Sequence, residues 1–133
     1  MNKLGIIAAA LASTVAFASP VFAGWTEVAE SVNGSTFYID YDTVKENNGY
    51  VYYWDLTDLL KPDSAGDLSY KSLNEVDCGI PRKYRILSDT YYTQPMASGS
   101  VNSSSNNASE WTYPSPNSVD EALTNEVCDF VGK

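Results

Sequence analysis

Between residues 50 and 56 the chain reads Tyr-Val-Tyr-Tyr-Trp-Asp-Leu, and successive side chains of an extended backbone point to opposite faces. Tyr50, Tyr52, Trp54 and Leu56 are therefore predicted to share one face of a strand, packed on a core. Tyr53 falls on the other face and is expected to be exposed. Two further strand-like runs, residues 68–78 and 82–92, are separated only by Gly79-Ile80-Pro81, which is short enough for a hairpin. Centred on Ile80, that hairpin sets Asp77 opposite Lys83, Glu75 opposite Arg85, Leu73 opposite Leu87 and Lys71 opposite Asp89. Three opposite charges and one aliphatic pair then match across one face, and a one-residue slip would break all four.

Before the aromatic run, residues 25–32 read as a first strand and residues 36–41 as a second. Asn33-Gly34-Ser35 between them predicts a type I′ turn, because Asn-Gly tolerates positive φ. Residues 42–46 are expected to form one helical turn, and Asn47-Asn48-Gly49 another reversal. After Tyr92 the pattern fades. Residues 97–109 hold little apolar surface and predict a mobile loop or frayed strand, with a sixth strand starting near Gly99. Trp111-Thr112-Tyr113-Pro114-Ser115-Pro116 is held extended by its prolines.

The last segment has helical spacing. Val119, Ala122, Leu123, Val127, Phe130 and Val131 mark one apolar side. Ser118-Val119-Asp120-Glu121 has the form of a capping box, and Gly132 is placed to end the helix. The fold class is α+β: an antiparallel meander of five to six strands with a C-terminal helix packed on one face.

Residues 1–23 change the picture of where this domain works. Lys3, the apolar run from Leu4 to Phe17 and Val21-Phe22-Ala23 have the order of a signal peptide. A single domain is expected at 24–133, exported to the periplasm, cell surface or medium, with no membrane span. Both cysteines lie in that domain, and an exported chain with two cysteines most simply joins them, so Cys78 and Cys128 are expected to staple the helix to the sheet. The formal charge is −9 and becomes −10 once Lys3 is removed with the leader. Phosphate backbones repel such a domain, so no nucleic-acid partner is expected.

The chain has no histidine, which excludes Ser-His and Cys-His catalysis and most transition-metal sites. Asp40 with Asp42, or Asp55 with Asp58, could pair as hydrolytic carboxylates. Solvated strand-edge charges are the favoured reading, and the chain is read as no enzyme, with no cofactor or metal. Ten tyrosines and three tryptophans exceed what one core face needs. Tyr53, Tyr91, Tyr92, Trp111 and Tyr113 are the candidates for a binding surface, since tyrosine and tryptophan combine contact area with a polar handle.

The order of several motifs resembles the bacterial surface-adhesin protein E-like family. The motifs are Trp25, Phe37-Tyr38-Ile39-Asp40, Val51-Tyr52-Tyr53-Trp54-Asp55-Leu56, Ser69-Tyr70-Lys71-Ser72-Leu73, Glu75-Val76-Asp77-Cys78, Arg85-Ile86-Leu87-Ser88, Tyr91 and Val127-Cys128. The resemblance implies an exported bacterial domain that binds host matrix or serum proteins, with a homodimer as a further partner state. The chain departs from that pattern in lacking a lipobox cysteine after its apolar leader. A second reading stays open: a periplasmic structural or stress-related envelope factor with no host ligand.

Overall fold

The structure, a computed structural model, describes residues 24–133. The predicted signal peptide lies outside the described residues. Six strands, β1 (Trp25–Glu30), β2 (Thr36–Asn47), β3 (Tyr50–Asp58), β4 (Ser69–Asp77), β5 (Lys83–Gln94) and β6 (Ser98–Ser105), form one antiparallel sheet in sequence order. One helix, α1 (Val119–Phe130), follows and lies across one face. The predicted α+β meander is the observed fold, with six strands.

The core is built from Ile39, Val51, Tyr53 and Val76 of the sheet against Leu123, Val127 and Cys128 of α1. Cys78 and Cys128 are joined, with Cα atoms 5.8 Å apart. The helix begins as its sequence predicts, the Ser118 hydroxyl accepting the Glu121 N–H. The Glu121 carboxylate reaches one residue further back than in a standard capping box, to the Asn117 N–H. Gly132, at φ 82°, ends the helix with its N–H donating to the Asp129 carbonyl.

The helix covers the face of β3 opposite to the predicted one. Val51, Tyr53, Asp55 and Thr57 point beneath it and are buried. The disulfide supplies the reason. Cys78 and Val76 share a face of the chain, and Val76 is paired with Val51, so tying Cys78 to α1 turns the Val51 face of β3 toward the helix. Tyr50, Tyr52 and Trp54 consequently occupy the open face and are only half-buried, while Leu56, on that same face, is fully buried as predicted.

The β4–β5 hairpin follows the predicted register at Asp77 opposite Lys83 and Glu75 opposite Arg85, then departs from it. A bulge makes Leu73 face Ser88 and Ser72 face Asp89, with Leu87 as the additional residue. Of the two pairs nearest the turn, Glu75–Arg85 forms an ion pair, while Asp77 accepts the Gly79 N–H and Lys83 lies over the Trp111 ring. The Leu73–Leu87 and Lys71–Asp89 pairs do not form.

Three local expectations also change. Residues 42–46 belong to β2, not to a helical turn. The chain there bulges so that Tyr41 to Val44 lie between the Asp40–Trp54 and Lys45–Tyr52 pairs. Thr43 closes the bulge, its hydroxyl donating to the Asp40 carbonyl and accepting the Trp54 N–H. The β1–β2 turn has positive φ at Gly34 but not at Asn33; the type I′ pattern appears instead at Asn48-Gly49, with φ of 53° and 86°. The Ser-rich segment forms a full strand, because a ladder is made by backbone groups and a strand exposed on both faces needs no apolar side chains. Its turn is anchored by the Met96 N–H donating to Asp58 Oδ1 and the Ala97 N–H to the hydroxyl of buried Ser69. These bonds hold Met96 and Ala97 at positive φ, which side chains otherwise disfavour.

Candidate binding surface

The open face is laid down by three alternating strands. β3 contributes Tyr50, Tyr52 and Trp54, β4 contributes Lys71, Leu73 and Glu75, and β5 contributes Lys83 and Arg85. Residues 109–112 then run beside the first half of β5. Ser109 N–H donates to the Ile86 carbonyl, and Tyr84 and Thr112 exchange both backbone hydrogen bonds. This places the Trp111 ring 5.5 Å from Tyr50, with Lys83 Nζ 5.1 Å and the Arg85 guanidinium 4.8 Å from its centroid. Cations over an indole are held by its negative face.

Beneath the indole is an ion pair between half-buried Arg85 and buried Glu75. Arg85 Nε donates to Glu75 Oε1 at 2.6 Å, and the Tyr52 hydroxyl donates to Glu75 Oε2. Glu75 is only 5% exposed, so both contacts are needed to compensate its lost hydration. The hydrogen bond to Glu75 also raises the Tyr52 hydroxyl above its ordinary pKa. Next to it, a groove of about 470 Å³ has Tyr52, Trp54 and Leu73 on one side and Asp42, Thr43, Lys45 and Asn47 of the β2 bulge on the other. Lys71 Nζ lies 5.2 Å from the Trp54 ring centroid.

The five predicted surface residues do not form one patch. Tyr53 is a correction: it is 3% exposed, sealed under α1, because the disulfide turns its face inward. Burial raises its hydroxyl well above the ordinary tyrosine range. Tyr91 is half-buried on the helix side and packs on Tyr70 with centroids 4.9 Å apart. Tyr92, one residue on, is half-buried on the open side opposite Ser69. Trp111 is half-buried at the open face, while Tyr113 is 61% exposed at the end of the molecule beside Ile80, Pro81 and Arg82. Sequence reasoning passed over Tyr50, Tyr52 and Trp54 because it assigned them to the core. The face of Cys78 was the signal that would have placed them.

Asp55 and Asp58 fall on opposite faces of β3, Asp58 supporting the β5–β6 turn. Asp40 Oδ1 is occupied by the Asp42 N–H. Asp55 is buried below the helix beside a small cavity of about 80 Å³ that Asp120 also lines. Burial, opposed by the Asn74 amide and aided by the Asp120 charge, raises Asp55 to about 7. Asp120 itself accepts the Tyr84 hydroxyl at 2.9 Å. Among the described residues no group of three or more Cys, Asp or Glu is placed to hold a metal ion, and no helix is long and apolar enough to cross a membrane.

The model of the surface-adhesin protein E family matches residues 25–129. Among solved structures, the chain is similar to Haemophilus influenzae protein E at 15% identity and a TM-score of 0.64, covering 87% of this chain and 93% of that one. A second crystal form of that protein gives 15% identity and a TM-score of 0.65 over 86% and 94%. Protein E from non-typeable Haemophilus influenzae gives 13% and 0.57 over 85% and 81%. At these identities the likeness to the solved structures establishes the fold alone. No curated protein sequence matches significantly.

Proposed function

The chain belongs to the surface-adhesin protein E family, and from that membership we propose that it is an exported, non-enzymatic domain that binds an extracellular protein, of host matrix or serum origin. The observation that carries the reading is Trp111, fixed on the sheet face that α1 leaves open, against Tyr50 and with two cations at its ring. Tryptophan, tyrosine and arginine held rigidly at a surface are the residue types that dominate protein interfaces. Little side-chain entropy remains to be lost when such an anchor is covered. The outer edge of β6, eight residues without a charged side chain, supplies the route to a homodimer by edge pairing.

The test is binding of the purified protein to an immobilised panel of extracellular-matrix and serum proteins, with protease accessibility on intact cells measured in parallel. A saturable response that Trp111→Ala weakens at least about tenfold, without a change in melting temperature, supports the reading. No response across the panel, with full protection from external protease, overturns it in favour of a periplasmic envelope factor.

A further inference from the structure

We propose that the groove between the β2 bulge and the aromatic face of β3 is a binding site for a neutral saccharide. One wall is aromatic and rigid. The Tyr52 ring is fixed through its hydroxyl to Glu75, and that carboxylate is fixed by Arg85. The Trp54 ring carries Lys71 and lies beside Leu73 across the β3–β4 ladder. The other wall is polar and uncommitted. Asp42, Lys45 and Asn47 are exposed, and among the described residues their side chains have no hydrogen-bond or ion-pair partner. Thr43 alone is engaged, in closing the bulge.

This combination selects the ligand by chemistry. A sugar ring has an apolar C–H face that packs on an aromatic ring and a rim of hydroxyls that both donate and accept. Asp42 offers acceptors, Lys45 donors and Asn47 one of each kind. The charges of Asp42 and Lys45 balance, so the rim favours neither ion. An anion is opposed by the domain's overall charge, −9 for the full chain and −10 once Lys3 is removed. A cation meets Lys45 at the rim and Lys71 already over Trp54. A volume of about 470 Å³ falls in the range of small-molecule sites. Trp111 does not line the groove, so this site is separate from the proposed protein contact.

The experiment is a titration of the disulfide-intact protein with N-acetylchitotriose and with lactose, followed by backbone amide chemical shifts. Choline chloride and citrate serve as cationic and anionic controls. Saturable shifts confined to residues 42–47 and 52–54 are expected with at least one saccharide. A response to N-acetylchitotriose indicates an N-acetylhexosamine glycan of the bacterial-wall type, and a response to lactose a galactose-bearing glycan of the host type. Lys45→Ala and Asp42→Ala should each weaken the response about fivefold, the loss of roughly one hydrogen bond. Both positions are exposed, so neither variant puts folding at risk, whereas Trp54→Ala alone would. The proposal is overturned if neither saccharide gives saturable shifts at the groove, if choline or citrate binds there more tightly, or if both rim variants retain full affinity.

Discussion

Cys78, just past the end of β4, is bonded to Cys128 in the third turn of α1, closing a loop of 50 residues that contains β5, β6 and the helix start. Such a bond limits the unfolded chain by about 4 kcal/mol in the chain-entropy account. Cys78→Ser should therefore lower the melting temperature markedly in non-reducing buffer, and reductant should bring the wild type down to the same level. Coincident melting of variant and wild type without reductant would show that helix packing alone holds the two layers together.

Asp55 gives a pH dependence opposite to that of most carboxylates. Its folded value, about 7, lies above the ordinary aspartate value of 3.8, so between these limits the native state binds the extra proton. Stability from this group is fully present below about pH 4, falls as pH rises, and is lost above about pH 7. The shift corresponds to an effect on the order of 4 kcal/mol. Asp55→Asn removes the titration while keeping the shape. The difference in unfolding free energy between wild type and variant, followed from pH 4 to 8, should decline with pH; a flat difference would refute the buried-acid account.

The Arg85–Glu75 pair is predicted to behave asymmetrically. Arg85→Ala strands a carboxylate that is nearly inaccessible, and a loss of about 2–3 kcal/mol is expected, the scale of a charged hydrogen bond. Adding Glu75→Gln to that variant removes the stranded charge and should recover part of the loss. Denaturant unfolding of the two single variants and the double variant measures the coupling. Strict additivity would mean that the two side chains do not depend on each other.

The strands, the turns and the helix with its cap are local matters, and residues such as Ser118, Val127 and Asn48-Gly49 announce them. The disulfide is legible for another reason, as the simplest pairing of two cysteines in an exported chain. The face assignment is not local. Periodicity gives Tyr50–Leu56 two faces of comparable apolarity, and only the link from Cys78 through Val76 to Val51 chooses between them. β6, expected from near Gly99 only as a frayed strand, is longer than its side chains announce, because its stability comes from backbone bonds and from anchors at Asp58 and Ser69, far away in sequence. The open-face site was half visible. Tyr52 and Trp54 were recognised as a pair, but their groove needs the β2 bulge, which Asp42 to Lys45 do not signal.

The additional residue at Leu87 in β5 sorts charge between the two sides of the sheet. Strict alternation would have set Asp89 and Tyr91 on the open side, in line with Lys83 and Arg85. The bulge instead pairs Asp89 with Ser72 and Tyr91 with Tyr70, on the helix side, and gives the open side Ser88, Thr90 and Tyr92. The open side, where Glu75 and Asp77 of β4 already face Arg85 and Lys83, is thereby spared the one aspartate β5 carries. Deleting Leu87 would make the ladder regular without moving a face, because Ile86 already pairs with Asn74 and Ser88 with Leu73, so Asp89 would stay on the helix side.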